Sequence, residues 1–207
     1  MRLKAALLAV ILTLGVAGAA TAGPVWFGLM GGAAVPTGDF SDQAGTGFDF
    51  GGTGTWMVND MWGVGADVAY HMWNGSDDYN AYLEDPNGGD FGTGSEAKFN
   101  ALQATAHAAL MIPSGSMVKP YIKAGLGMYN LGGKIEGGTT EVDFDSESKF
   151  GFNGGAGLNW AASSNMSFGI GAAYHQIMTK DEDTVPPTEN TNLFTVNLSV
   201  LWGVSPQ

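Results

Sequence analysis

The sequence predicts an all-β fold, an eight-stranded antiparallel up-and-down transmembrane β-barrel. The first observation is a set of eight stretches, each about ten to thirteen residues long, in which one phase carries no ionisable side chain. The second is the period of two within these stretches, which indicates β-strands whose two faces meet unlike environments. The third is the alternation of short and long connections, which is typical of membrane barrels. A tilted strand of this length spans a bilayer.

The predicted strands follow one another along the chain with turn-forming residues between them. They are residues 24–35, 46–58, 61–73, 98–112, 117–130, 149–161, 166–177 and 192–204. Short connections are expected at 59–60, 114–116 and 162–165, and long ones at about 36–45, 74–97, 131–148 and 178–191. An even number of strands that starts on the periplasmic side places the long loops outside the cell.

One phase of each stretch is apolar, and this phase identifies the strand. From the second strand to the eighth, its residues are Phe48, Phe50, Trp56; Trp62, Val64, Ala66, Val68, Tyr70; Leu102, Ala104, Ala106, Ala108, Leu110, Ile112; Ile122, Ala124, Leu126, Met128; Phe150, Phe152, Leu158, Trp160; Phe168, Ile170, Ala172, Tyr174; and Phe194, Val196, Leu198, Val200, Trp202, Val204. A charge near the bilayer midplane costs about 2–4 kcal/mol on a lipid-facing surface. We therefore expect this phase to face lipid.

Aromatic residues of the apolar phase cluster at two heights, as in the interfacial girdles of membrane barrels. Those near the short-turn rim are Trp56, Trp62, Trp160 and Trp202. Those toward the loop rim are Phe48, Phe50, Tyr70, Phe150, Tyr174 and Phe194.

The opposite phase is polar and glycine-rich, and it predicts an internal network. The residues that we assign to this network have ionisable or amide side chains; they are Asp49, Asp67, His71, Gln103, His107, Lys123, Asn153, His175 and Asn197. Counting residues up from the short turns predicts two layers, with Asp67, His107, Lys123 and Asn197 below the others. We expect Asp67 to compensate Lys123, because a buried charge must be paired.

Eight strands leave an interior about wide enough for side chains to fill, so a plugged lumen is favoured over a wet or gated pore. A soluble, lipocalin-like carrier would have the reverse faces, with a charged exterior and an apolar interior. The polar phase has too few charges and too much glycine for a solvated surface, which favours the membrane barrel.

Residues 1–22 have the pattern of a secretory signal peptide, and residues 23–207 are assigned to one barrel domain. Arg2 and Lys4 precede an apolar stretch, and Ala20-Thr21-Ala22 forms a small-x-small cleavage site. Removing these residues changes the formal charge from −12 to −14. This balance argues against binding to nucleic acid by simple attraction.

Acidic residues concentrate in the long connections, which hold seventeen of the twenty carboxylates. A solvated loop surface is the favoured interpretation. Binding of divalent cations is the alternative, with Asp143, Asp145, Asp181 and Asp183 as candidate ligands, although the runs lack the spacing of a calcium loop. A metal site of Asp49, His71 and His175 has suitable ligand types but no local spacing to support it. No cofactor is predicted.

Three segments resemble the small outer-membrane β-barrel domain proteins of the OmpA, OmpX and opacity-porin type. They are WFGLMGGAAVPTGDF, which looks like the first strand and loop of that family, TGFDFGGTGTWMVNDMWGVGADVAYH and PYIKAGLGMYNLGG. The resemblance implies a bacterial outer-membrane location, with membrane lipid and the barrel assembly machinery as partners. Family members usually end on an aromatic residue, whereas GVSPQ follows Trp202 here, so TVNLSVLW is expected to serve as an internal assembly signal.

Three functions remain in order of preference. The first is a structural or surface-interaction role through acidic extracellular loops, and the second is a narrow channel for small solutes. The third is a lipid-modifying enzyme. It is disfavoured because lipid A deacylase barrels place a Ser two residues after a His, whereas Gln176 and Ile177 follow His175, and because no histidine accompanies the acidic pairs that omptin-type proteases use.

Overall fold

A computed structural model describes residues 23–89, 91–137, 141–179 and 190–204, and it confirms the predicted fold class. Eight strands form a closed antiparallel barrel in which each strand pairs with its neighbour in sequence and the first pairs with the last. The strands are β1 Val25–Thr37, β2 Gly47–Met57, β3 Trp62–Asn74, β4 Glu96–Met111, β5 Val118–Glu136, β6 Val142–Ala161, β7 Met166–Ile177 and β8 Thr191–Val204. The predicted signal peptide lies outside the described residues. Within the described ranges, no helix is long and apolar enough to cross a bilayer.

Strands β5 and β6 are longer than predicted, and the loop predicted at 131–148 is wrong. Their pairing continues to Ile135 and Val142, with a one-residue bulge on β6 opposite the segment between Leu131 and Gly133. Strand β4 accompanies β5 over this extension, since Glu96 pairs with Glu136. The β5–β6 hairpin, flanked by β4, therefore extends beyond the rim. This part of β6 has polar residues on both faces, so it lacks the continuous apolar phase by which the other strands were predicted.

The first two long connections contain short helices that fasten them to the barrel. Helix α1, Phe40–Gln43, places the Phe40 ring edge-on to Trp73, with ring centroids 5.3 Å apart. Helix α2, Asp77–Glu84, starts at Ser76, whose hydroxyl accepts a hydrogen bond from the Tyr79 amide. Asn80 accepts a hydrogen bond from the Ala97 amide at 3.0 Å. These contacts hold both connections over the loop rim.

The two faces of the barrel have the predicted polarity. Large apolar side chains project outward; Leu29, Phe48 and Leu198 are each more than 60% exposed. Asp49, Asp67, His71 and His175 are buried in the lumen. Exposed apolar side chains around a polar interior suit lipid surroundings, so the soluble carrier with reversed faces does not match the structure.

Candidate functional site

The lumen contains the candidate functional groups, and the lowest of them form a charged floor. Lys123 Nζ lies 3.1 Å from Asp67 Oδ1 and 2.9 Å from Asp67 Oδ2. His107 Nδ1 lies 3.1 Å from Asp67 Oδ2, and its Nε2 lies 2.9 Å from the Thr55 hydroxyl. Asp67 is only 2% exposed, whereas the Lys123 side chain is 21% exposed. The ammonium group therefore covers the carboxylate on the side facing the short turns.

A second polar layer lies above this floor. Asp49 and His71 are cross-strand partners, with Asp49 Oδ2 and His71 Nδ1 3.9 Å apart. The amide of Asn197 donates to Asp49 Oδ2 at 3.0 Å, so Asn197 is linked to the upper layer. Its predicted place in the lower layer is wrong, because counting from the turns ignores the stagger between tilted strands.

Hydrogen bonds extend this layer across the lumen. His71 Nε2 lies 2.9 Å from Gln103 Oε1, and Gln103 Nε2 donates to Thr105. Asn153 donates to the Tyr129 hydroxyl, which lies 3.0 Å from His175 Nδ1. These hydrogen bonds fix the side chains of opposite strands in one arrangement, although Asp49 Oδ1, His71 Nδ1 and Asn197 Oδ1 have no hydrogen-bond partner among the described residues.

The buried layer also contains a residue that the sequence analysis missed, Tyr129. Thr105 and Thr195, which the strand parity places in the polar phase, lie in the same layer. Tyr129 falls on the inward parity of β5, and this parity is the signal that could have identified it. An aromatic residue does not stand out as a member of a polar phase.

An apolar cluster closes the lumen above the second layer, at the loop rim. It is formed by Ala34, Ala44, Trp73, Ala101, Tyr129, Ile177 and Leu193, with Phe40, Phe99 and Leu131 packed against it. Trp73 Nε1 donates to the Ala34 carbonyl at 3.1 Å, so the only polar atom of the indole has a partner. We call this group the stopper.

Below the floor the lumen is hollow, which contradicts the expectation that side chains fill the whole interior. A cavity of about 510 Å³ opens toward the short-turn rim. Trp26, Met57, Tyr121 and Lys123 are among the residues that line it. We call this space the cup.

The predicted metal sites receive no support from the side-chain arrangement. His175 has both ring nitrogens within hydrogen-bond distance of protein hydroxyls, those of Tyr129 and Thr195. Among the described residues, no three of His, Asp and Glu are grouped as a metal would require. Asp143 and Asp145 lie on the β5–β6 hairpin, while Asp181 and Asp183 are outside the described residues.

The predicted interfacial aromatics lie on the outward parity at both rims. Trp62, Trp160, Trp202 and Tyr174 are exposed, while Trp56 and Tyr70 are partly exposed. Above the loop rim, the hairpin carries exposed acidic residues; Glu136 contacts both Lys98 and Lys134, and Glu147 forms an ion pair with Lys149 at 2.7 Å.

Comparisons with known proteins agree with this geometry. The sequence profile of the family described as outer membrane protein beta-barrel domain matches residues 6–201. No curated protein matches the sequence. Neisserial surface protein A has a similar structure, with 18% identity and a TM-score of 0.53 over 88% of this chain and 99% of that one. Ail, the attachment invasion locus protein of Yersinia pestis, is 15% identical with a TM-score of 0.52 over 89% of this chain and 100% of its own. At these identities, the two structures show a shared fold.

Proposed function

Because this chain belongs to the outer membrane protein beta-barrel domain family, we propose that it acts as a structural or surface-interaction protein through its extracellular rim. The family indicates the bacterial outer membrane. The observation that carries the proposal is the contrast between a lumen closed by the stopper and a hairpin that extends beyond the rim. A role for the extracellular rim needs no path through the barrel.

The exposed hairpin supplies the surface for such an interaction. Asp143, Asp145 and Glu147 are exposed along β6, and seventeen of the twenty carboxylates belong to residues 36–45, 74–97, 131–148 and 178–191. This charge favours a cationic partner and repels polyanions. Ail has been crystallised with the heparin analogue sucrose octasulfate, and we expect the acidic rim of this chain to bind such ligands poorly.

Surface binding tests this assignment directly. The full chain in nanodiscs should bind a cationic peptide such as oligolysine and should not bind heparin at physiological salt. Replacing Asp143, Asp145 and Glu147 by their amides should weaken oligolysine binding several-fold, because each exposed charge contributes to attraction. The matched control is Asp60→Asn, which removes one carboxylate from a short turn at the opposite rim. Equal binding by all three proteins would reject a role for the hairpin.

The channel alternative makes a different prediction. The stopper residues come from six strands and pack against one another across the lumen. We therefore propose that the folded protein conducts no ions in a planar bilayer. Conductance in single-channel recordings that changes with Lys123→Ala would reject this and favour the channel. Enzymatic activity is not proposed either, since Gln176 and Ile177 follow His175 where a nucleophile would be needed, and Thr195, the hydroxyl next to His175 Nε2, is only 1% exposed.

Export and assembly complete the proposal. We propose cleavage before Gly23, insertion into outer-membrane lipid, and recognition of the last strand by the barrel assembly machinery. Pairing of β8 with β1 continues to Val204, which supports TVNLSVLW as the closing segment. Heat-modifiability of protein from the outer-membrane fraction, with N-terminal sequencing, tests these steps. Cation binding at the acidic loops stays a prediction, which calcium titration of the surface variant would test.

A further inference from the structure

The cup is a built cavity, because two large rings lie flat against glycine patches on its wall. A Cβ added at Gly157 or Gly171 would come within 2.6 Å of the Tyr121 hydroxyl. A Cβ added at Gly203 would come 3.0 Å from the Trp26 ring. Any larger residue at these positions would push the rings into the lumen. The volume of about 510 Å³ is within the range of small-molecule sites, roughly 300–1,000 Å³.

The walls of the cup differ in their share of apolar groups. One side presents the hydroxyls of Thr53 and Thr55 but is dominated by apolar and polarisable side chains from β1, β2 and β4, namely Trp26, Met30, Met57 and Met111. The other side presents polar groups from β5, β6 and β7, namely Lys119, Tyr121, Lys123, Asn159 and Ser167. Methionines adapt to ligands of varied shape, and an indole binds aromatic or aliphatic bodies. Such a cavity fits a molecule with an apolar body and a polar head.

Two lysines line the cup and specify the sign of that head. Lys119, closer to the rim, has no ion pair among the described residues. Lys123 is exposed toward the cup, while its counter-ion Asp67 is buried behind it. Among the described residues that line the cup, Asp60 at the turn is the one carboxylate. Two of the six lysines beyond residue 22 therefore face this cavity, in a protein that is otherwise strongly acidic.

From these observations we infer that the cup is a binding site, open to the periplasm, for a small amphipathic anion such as a monocarboxylate with an aromatic or aliphatic body. The carboxylate binds at the Lys119, Tyr121 and Lys123 side, and the apolar body contacts Trp26 and the methionines. The stopper makes this a site with a single opening. It lies at the rim opposite the proposed interaction surface, so the two assignments stand or fall separately.

The absence of cysteine allows a direct test of accessibility and charge. Ser199→Cys places one thiol in the cup of the full chain in zwitterionic nanodiscs, and Ser114→Cys places one on the exposed β4–β5 turn as the matched control. At each position we compare the modification rate by the anionic reagent, sulfonatoethyl methanethiosulfonate, with that by the cationic trimethylammonioethyl reagent. The ratio of the anionic rate to the cationic rate should be about fivefold higher at position 199 than at position 114, because the lysines attract anions. Folding of each variant is checked by the gel shift on heating.

Ligand binding is then measured as protection of that thiol. 2-Naphthoate should slow modification at position 199 with a midpoint of about 1 mM, the affinity expected for a ligand of this size. It should leave position 114 unaffected. The neutral analogue 2-naphthalenemethanol should protect about tenfold less well, because it lacks the charge that the lysines recognise.

A second pair of variants assigns the head-group side. In the Ser199→Cys background, Lys119→Gln should weaken protection by 2-naphthoate about threefold, while Lys134→Gln, the same charge change at the opposite rim, should not. The inference is overturned if position 199 does not react, if naphthoate does not protect it at 10 mM, or if the neutral analogue protects equally. If Ser199→Cys does not fold, Thr55→Cys provides the cup thiol under the same criteria.

Discussion

The two halves of the lumen are built from the same eight strands, yet one is closed and the other is hollow. In the half nearer the long connections, inward positions carry Trp73, Tyr129 and Leu193, which pack together without exposure to solvent. In the half nearer the short turns, glycine lies opposite the large rings, and Tyr121 and Trp26 lie against the wall. Side-chain size and glycine placement, rather than strand number, therefore decide where an eight-stranded barrel has free volume.

The Lys123–Asp67 pair lies at the boundary between these halves, and its removal should have the largest effect. Lys123→Met leaves the Asp67 carboxylate buried with His107 and the Thr53 hydroxyl, but no lysine, beside it. The free energy of unfolding should fall by about 3–5 kcal/mol, the cost of an uncompensated buried charge. Lys119→Met, a cup lysine without an ion pair among the described residues, should change it little. Urea unfolding in lipid vesicles measures the free energy of unfolding of both variants. Equal losses for the two would mean that the ion pair between Lys123 and Asp67 has no special role at the boundary between the halves.

Two leucines on β8 compare the packing of the halves. Leu193 is fully buried in the stopper, whereas Leu201 lines the cup and is partly exposed. Leu193→Ala should lower the free energy of unfolding by about 2–4 kcal/mol because it opens a cavity in packed surroundings. Leu201→Ala should cost about 1 kcal/mol, since the space beside it is already open. The same urea unfolding assay measures both variants. Similar losses in the free energy of unfolding would mean that side chains fill the cup in solution.

Two tyrosines on β5 give the finest comparison. Tyr129→Phe removes a hydroxyl that contacts Asn153 and His175. It should cost about 1–2 kcal/mol, because those buried partners lose their hydrogen bond. Tyr121→Phe should be nearly neutral, since its hydroxyl lies beside Gly157 and Gly171 and has no hydrogen-bond partner among the described residues. A larger loss for Tyr121→Phe would show that its hydroxyl has a structural partner at the wall.

Most of the barrel could be predicted from the sequence, because lipid and lumen impose opposite polarity on alternate residues. That constraint applies only within the membrane. The segment from Glu141 to Ser148 is solvated on both faces of the hairpin, so it carries no clean alternation and resembles a loop. The helices α1 and α2 were missed for a related reason: their stability depends on contacts with the rim, such as Asn80 with Ala97.

The composition of the lumenal network followed from parity, but its layers did not. Asp49 and His71 are cross-strand partners on β2 and β3, as their matching positions on neighbouring strands predict. Asn197 bonds to the layer above the one expected, because strand tilt changes the height of a residue between strands. The cup could not be predicted at all, since glycine in the polar phase fits a narrow filled interior as well as a wall that accommodates flat rings.

The bulge on β6 has a consequence for how this protein can vary. Below it, Lys149 and Gly151 follow the lumenal parity; above it, Val142 and Phe144 take that parity, because they pair with Ile135 and Gly133. The alternation of the exposed hairpin is thus independent of the alternation that lipid enforces. We expect a single insertion or deletion in β6 above the bulge to exchange the face that the hairpin displays, while the membrane-embedded register is kept. The exposed part of β6 can therefore vary in sequence and length at little cost to the pairing below it.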